Sequence, residues 1–179
     1  MNIVGKKKYF FKVLVAGPPG AGKTSLLRRY IKDKFDESTI MTIGVDFFLK
    51  NLEINENLNC SLQLWDFGGQ KQFEKLHETY VEGASGALIL IDLTRVPSME
   101  VVDKWMNIVR LEKHDLPVIL LGSKSDLKDL IIVDEEFMRK VMDKYSINHY
   151  LKTSAKTGIN VDKSFEVIAK EILQSKNLM

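Results

Sequence analysis

A doubly wound α/β domain with a mostly parallel sheet is the fold class that the sequence predicts, and three observations predict it. Apolar runs of strand length alternate with amphipathic windows of helical length, the pattern of a sheet flanked by helices. The 179 residues match the length of one ordinary domain. Hydrophobic residues make up 45% and charged residues 28%, with four Pro, eleven Gly and no repeat or linker-like tract, which is a globular composition.

Taken in order, Tyr9 to Ala16 reads as a central strand, and Lys23 to Asp33 as a helix with Leu26, Leu27 and Tyr30 on its apolar side. Polar and turn-prone residues fill Asp36 to Thr42. Val45 to Ile54 and Cys60 to Trp65 read as strands joined through Asn55-Glu56-Asn57, a connection short enough for an antiparallel hairpin, so one edge strand runs against the others. Gly86 to Asp92, Pro117 to Gly122 and Asn148 to Thr153 are the remaining strands. Ser98 to Lys113, Asp134 to Tyr145 and Asn160 to Gln174 have helical length and periodicity, with Ser98 and Asp134 as N-caps ahead of acidic residues.

Composition also excludes several classes. Twenty-six Lys and Arg against twenty-four Asp and Glu give a net charge of +2, without the basic excess of a dedicated nucleic-acid binder. The one Cys, Cys60, forms no internal disulfide and reads as an inert strand residue in a reducing, cytoplasmic compartment. Lys6 to Lys8 followed by an apolar run mimics a signal peptide, but Lys12 interrupts the run, and a buried first strand is the better reading. The apolar stretch Ala87 to Ile91 is far below the ~20 residues that span a bilayer. Position 2 is Asn and the final residues hold no Cys, so this chain offers no lipidation acceptor, and membrane association is expected only through a partner or the basic face. That face comprises Lys6 to Lys8, Arg28, Arg29, Lys32 and Lys34, with simple solvation as its ordinary role.

The first strand leads into Gly17-Pro18-Pro19-Gly20-Ala21-Gly22-Lys23-Thr24, which matches G-x-x-x-x-G-K-[ST] between a strand and a helix. Gly20 and Gly22 let backbone N–H groups converge on an anion at a helix N-terminus, Lys23 reaches the β- and γ-phosphates, and the Thr24 hydroxyl suits Mg²⁺. Pro18 and Pro19 donate no N–H, so the cradle rests on the amides from Gly20 through Ala21 to Ser25. Asp66-Phe67-Gly68-Gly69-Gln70 leaves a later strand where a second phosphate-facing element belongs: Asp66 as a carboxylate toward Mg²⁺, the Gly69 N–H toward the γ-phosphate, Gln70 orienting the attacking water. Thr42, between the two motifs, completes the Mg²⁺ shell in this reading.

Ser123-Lys124-Ser125-Asp126 and Ser154-Ala155-Lys156 follow the last two strands, at the strand ends where open α/β sheets bind ligands. The Asp126 carboxylate accepts two hydrogen bonds from guanine N1–H and the 2-amino group, whereas adenine offers a ring acceptor and no 2-amino donor. Lys124 and Lys156 lay alkyl stems along the ring faces, and the Ala155 N–H suits the guanine O6.

This ordered set of motifs resembles the Ras superfamily of small GTPases over nearly the whole chain, residues 1–179 reading as one G domain. Thr42-Ile43-Gly44-Val45-Asp46-Phe47 and Leu62-Gln63-Leu64-Trp65-Asp66 look like Rab proteins, while Gly68-Gly69-Gln70 looks like Arf proteins. The resemblance implies a P-loop fold of six strands, one antiparallel at the edge, and five helices, with GTP or GDP and Mg²⁺ as ligands. It implies a Phe35 ring packed edge-on against guanine, and Phe47, Trp65 and Tyr80 as a triad presented to effectors. Its partners are an exchange factor, a GTPase-activating protein and effectors meeting the two switch segments. Two residues depart from the family: Ser123 stands where Asn ties the base loop to the phosphate loop, and Pro19 occupies a crowded position facing the catalytic Gln.

The expectation is a slow GTP hydrolase acting as a molecular switch, with Lys23 and Gln70 as catalytic groups. Pro19 and Ser123 motivate the alternative, a nucleotide-dependent binding module with negligible hydrolysis. A small-molecule kinase fits less well, since no Arg-rich lid insertion is visible between the strands.

Overall fold

The computed structural model describes residues 6–35, 45–67 and 77–179. Six strands form one sheet: β1 (Lys7–Ala16), β2 (Val45–Asn55), β3 (Leu58–Phe67), β4 (Gly86–Asp92), β5 (Val118–Ser123) and β6 (His149–Lys152). Five α-helices lie among the described residues: α1 (Lys23–Lys32), α2 (His77–Val81), α3 (Met99–Val109), α4 (Glu135–Tyr145) and α5 (Val161–Ser175). The strand order is β2-β3-β1-β4-β5-β6. Every neighbouring pair is parallel except β2 with β3, which meet as the expected antiparallel hairpin.

Alternation along β1 explains why the sheet is covered on both faces. Val13 and Val15 join Leu26, Leu27, Phe165, Ile168 and Ile172 in a core under α1 and α5, while Leu14 and Ala16 join Val102, Trp105, Met106 and Val141 under α3 and α4. All seven residues of β4 are buried, as a strand sandwiched between two helix layers requires. Tyr30 of α1 stacks on Phe165 of α5, ring centroids 3.8 Å apart, and this contact welds the two helices that back the central strands.

Most boundaries differ from the sequence reading by one or two residues, β1 beginning at Lys7 among them, and the hairpin and the end of α3 carry physical reasons. The hairpin turn is Glu56-Asn57 alone, because Asn55 pairs with Leu58 after a register shift between Glu53 and Asn55. β3 therefore begins two residues before Cys60, which is buried and free as expected of a strand residue. Helix α3 ends at Val109 and not at Lys113. Arg110 turns its guanidinium onto the carbonyls of Leu116 and Tyr145, at 3.3 and 2.8 Å, and these bonds favour a turn over a further helical turn. The N-caps are where the sequence put them: Ser98 accepts from the Val101 N–H and Asp134 from the Phe137 N–H.

Phe165→Ala is expected to lower unfolding stability by about 3–5 kcal/mol, because it removes a fully buried ring together with its stack on Tyr30. Urea denaturation followed by tryptophan fluorescence measures this, and a loss under 1 kcal/mol would contradict the packing role.

Candidate functional site

Parallel pairing brings the C-terminal ends of β1, β3, β4, β5 and β6 to one edge of the sheet, and the loops leaving them converge there. The β1 loop is shaped by backbone demands. Gly17 has φ of 141°, and a Cβ at that position would stand 2.5 Å from the Leu90 carbonyl oxygen, so the chain leaves the sheet pressed against β4. Gly22, at φ of 91°, sits at the N-cap of α1 with no side chain to occupy the first-turn amides of Lys23, Thr24 and Ser25. Ala21 is buried beneath the loop, and its N–H bonds the Pro18 carbonyl at 3.2 Å.

Lys23 is only 6% exposed, and its ammonium donates to the carbonyls of Gly17 at 2.7 Å and Pro18 at 3.0 Å. Burial lowers its pKa to about 8, while nearby Asp66 pulls it upward. The two prolines thus serve as acceptors: Pro18 holds Lys23, and the Pro19 carbonyl receives Arg95 Nη1 at 3.0 Å. Beside Lys23, the Thr24 hydroxyl donates to Asp66 Oδ2 at 2.5 Å, joining two residues that stand 42 positions apart in the chain. A hydroxyl and a carboxylate already in contact form a hard oxygen pair of the kind Mg²⁺ accepts when substrate phosphates and waters complete its shell.

The base-side residues gather at the ends of β5 and β6. Asp126 accepts a 2.6 Å bond from the hydroxyl of fully buried Ser154, which in turn accepts from the Thr157 N–H at 3.1 Å. Ser154 therefore orients Asp126. The Ser125 N–H bonds the Thr153 carbonyl at 3.0 Å and locks the two loops together. Ala155 is half-buried and Lys156 exposed beside them. Ser123 is buried at the end of β5, its hydroxyl donating to the Ile91 carbonyl at 3.2 Å, and Lys124 holds a positive φ of 61°. Phe35 is exposed beyond α1. Thr42, Gly69 and Gln70 lie outside the described residues.

Sequence reasoning missed Asp92, at the end of β4. Its carboxylate is 3% exposed, accepts from the Thr94 N–H and hydroxyl on Oδ1, and faces Lys124 Nζ at 2.7 Å and Arg95 Nε at 3.3 Å on Oδ2. Burial pushes its pKa up, but the bonds from Lys124 and Thr94 outweigh that and hold it below the ordinary aspartate range. The available signal was an Asp closing an apolar strand two residues before a Thr, an Asx-turn pattern at a ligand-binding strand end.

Away from the loops, Phe47 is 73% exposed, and its ring leads to Trp65 at 6.1 Å and on to Tyr80 at 5.7 Å. Trp65 and Tyr80 pack partly against the core, so only the Phe47 end of the triad is free of it.

A model of the Ras family matches residues 12–174 of the chain. The chain is 36% identical over 174 residues to Ras-related protein Rab-10 of Diplobatis ommata, covering 96% of the chain and 86% of that protein. It is 35% identical over 170 residues to Ras-related protein Rab-8B of Homo sapiens, covering 94% and 81%, and equally so to Ras-related protein Rab-8 of Diplobatis ommata, covering 94% and 80%.

A carboxyl held below its ordinary pKa of 3.8 contributes stability that is present above that value and fades as pH falls through the lower folded value. Asp92→Asn is therefore expected to cost about 1–3 kcal/mol at pH 7. The gap to the parent should narrow once pH drops below about 4. Chemical denaturation of both proteins between pH 7 and 3 reads this, and a gap independent of pH would refute the ion-pair assignment.

Proposed function

The chain belongs to the Ras family, whose members are GTPases, and from that premise we propose that it is a single G domain over residues 1–179 that binds GTP and Mg²⁺, hydrolyses GTP slowly and signals through the state of its nucleotide. The observation that carries this reading is the meeting of Lys23, Thr24 and Asp66 at one end of the same sheet edge whose other end holds Asp126 oriented by Ser154. Phosphate chemistry and a guanine-selective carboxylate are thereby joined by one row of strand ends.

In this reading the first-turn amides of α1 and the Gly20 to Gly22 backbone hold the phosphates, and Lys23 exchanges its two loop carbonyls for phosphate oxygens. Thr24, Asp66 and Thr42 would hold Mg²⁺, which would supply neutralisation of phosphate charge. Gln70 aligns the water that attacks the γ-phosphorus, and Lys23 stabilises charge on the departing diphosphate. Asp126 accepts from guanine N1–H and the 2-amino group, the Ala155 N–H donates to O6, Lys124 and Lys156 flank the ring, and Phe35 packs at its edge. Thr42 and Gly69 respond to the γ-phosphate, so the surface they carry differs between the GTP and GDP forms and is read by exchange, activating and effector proteins. Exposed Phe47 supports an effector contact beside those segments. The Rab relatives support a role in vesicle or membrane trafficking, and Gly68-Gly69-Gln70 gives the second segment an Arf-like character.

The test is a single-turnover assay with GTP and, in parallel, ATP, following diphosphate formation by chromatography. GTP conversion on the order of 10⁻⁴ to 10⁻² s⁻¹ with little use of ATP is expected. Asp126→Ala should weaken GTP binding by at least about a hundredfold, through loss of two bonds to a charged acceptor, and erase the preference. Faster ATP use would sink the guanine assignment, whereas bound but uncleaved GTP would favour the binding-module reading that Pro19 and Ser123 motivate.

A further inference from the structure

Resting on the guanine-nucleotide reading above, we propose that Asp92 and Arg95 form an ion-pair relay that ties the base loop to the phosphate loop and slows nucleotide release. The relay does what the side chain at position 123 is too short to do. Four observations carry it. The Ser123 hydroxyl has one proton, and it goes to the Ile91 carbonyl within the sheet, so this residue donates nothing toward the phosphate loop. Asp92 is pinned by Thr94 on one carboxylate oxygen, which aims the other at Lys124 of the base loop and at Arg95.

Arg95 then bridges outward. Its Nε faces Asp92 Oδ2 at 3.3 Å while its Nη1 donates to the Pro19 carbonyl at 3.0 Å. A planar guanidinium spans a carboxylate and a carbonyl at once in a fixed fork, which a point-charge ammonium does not. The guanidinium lies close over the loop: Gly20 holds a φ of 75° that favours glycine, and a Cβ there would stand 2.8 Å from Arg95 Nη2. Lys124, Asp92, Arg95 and Pro19 thus form one chain of charge-assisted contacts from the base side to the phosphate side of the site. Arg95 acts through the Pro19 carbonyl, as a positioning residue.

The experiment measures release of a fluorescent GDP analogue by stopped flow for the parent, Arg95→Ala, Arg95→Lys, Ser123→Asn and the Arg95→Ala/Ser123→Asn double variant. Melting curves of the nucleotide-free forms separate release from global stability. With its side chain 60% exposed, Arg95 tolerates replacement without disturbing the core. Arg95→Ala is expected to release the analogue about tenfold faster, and Arg95→Lys nearly as fast. In the Ser123→Asn background, where a longer side chain supplies a donor, Arg95→Ala should accelerate release by less than about threefold. Release unchanged in Arg95→Ala, or full rescue by Lys, overturns the relay. Equal acceleration in both backgrounds overturns its standing in for residue 123. The two Arg95 single variants decide the relay even if Ser123→Asn fails to fold. A parent that binds no GDP analogue overturns the guanine reading and the relay together, whereas binding with unaltered release overturns the relay alone.

Discussion

The central strand can occupy only one place, and the site is a consequence of that. Val13, Leu14, Val15 and Ala16 are all fully buried between helix layers, the first three paired in parallel with both β3 and β4 and Ala16 with β4. Shifting β1 by one residue would turn Val13 and Val15 into the wrong core and expose backbone groups on two ladders at once. Its end is therefore fixed, and the chain must leave it in the narrow space beside Leu90, where only Gly17 fits. The loop that follows inherits its position from core packing and its anion-seeking amides from the start of α1.

That rigidity makes it tolerable to bury charge at the loop. Lys23, Asp66 and Asp92 are all nearly inaccessible, and a buried ion is costly unless its partners are fixed in advance. Lys23 is held by two loop carbonyls, Asp66 accepts from the Thr24 hydroxyl on Oδ2, and Asp92 is held by Thr94, Lys124 and Arg95. Burial lowers the Lys23 pKa although nearby Asp66 pulls it upward, and a phosphate would add further negative charge beside it. The exposed Lys140–Glu136 pair has similar geometry at 2.7 Å, yet water screens it and little depends on it.

Local signals in the sequence were sufficient wherever structure is local. The apolar runs of β1, β4 and β5, the Ser98 and Asp134 caps, and the glycine pattern around Lys23 are readable because each depends on neighbours a few residues away. The end of α3 was not, since Arg110 is drawn off the helix by the Tyr145 carbonyl 35 positions later. The partners of Asp92 and Arg95 were hidden for the same reason: the Asx-turn signal marks a turn, and the link to Lys124 and Pro19 forms only when β4 is laid beside β5 and the phosphate loop. The segments around Thr42 and Gln70 lie outside the described residues, so their roles rest on motif order.

The two ends of the site use different physics, and this sets what each can discriminate. Backbone amides and a helix dipole favour any polyphosphate, so the β1 loop selects for charge and leaves the base unread. On the guanine-nucleotide reading proposed above, selectivity would come from a side chain with a fixed direction. Asp126 meets that need because Ser154 occupies one of its four or so lone-pair sites, holding the carboxylate still while leaving acceptors for two donors. A freely rotating aspartate would lose rotamer entropy on each binding event, and the buried hydroxyl has already removed much of that freedom during folding. Ser154 is held in turn by the Thr157 amide and by its own N–H bond to the Ile159 carbonyl, so on the guanine reading proposed above the preference for one base would trace back to the loop that follows β6.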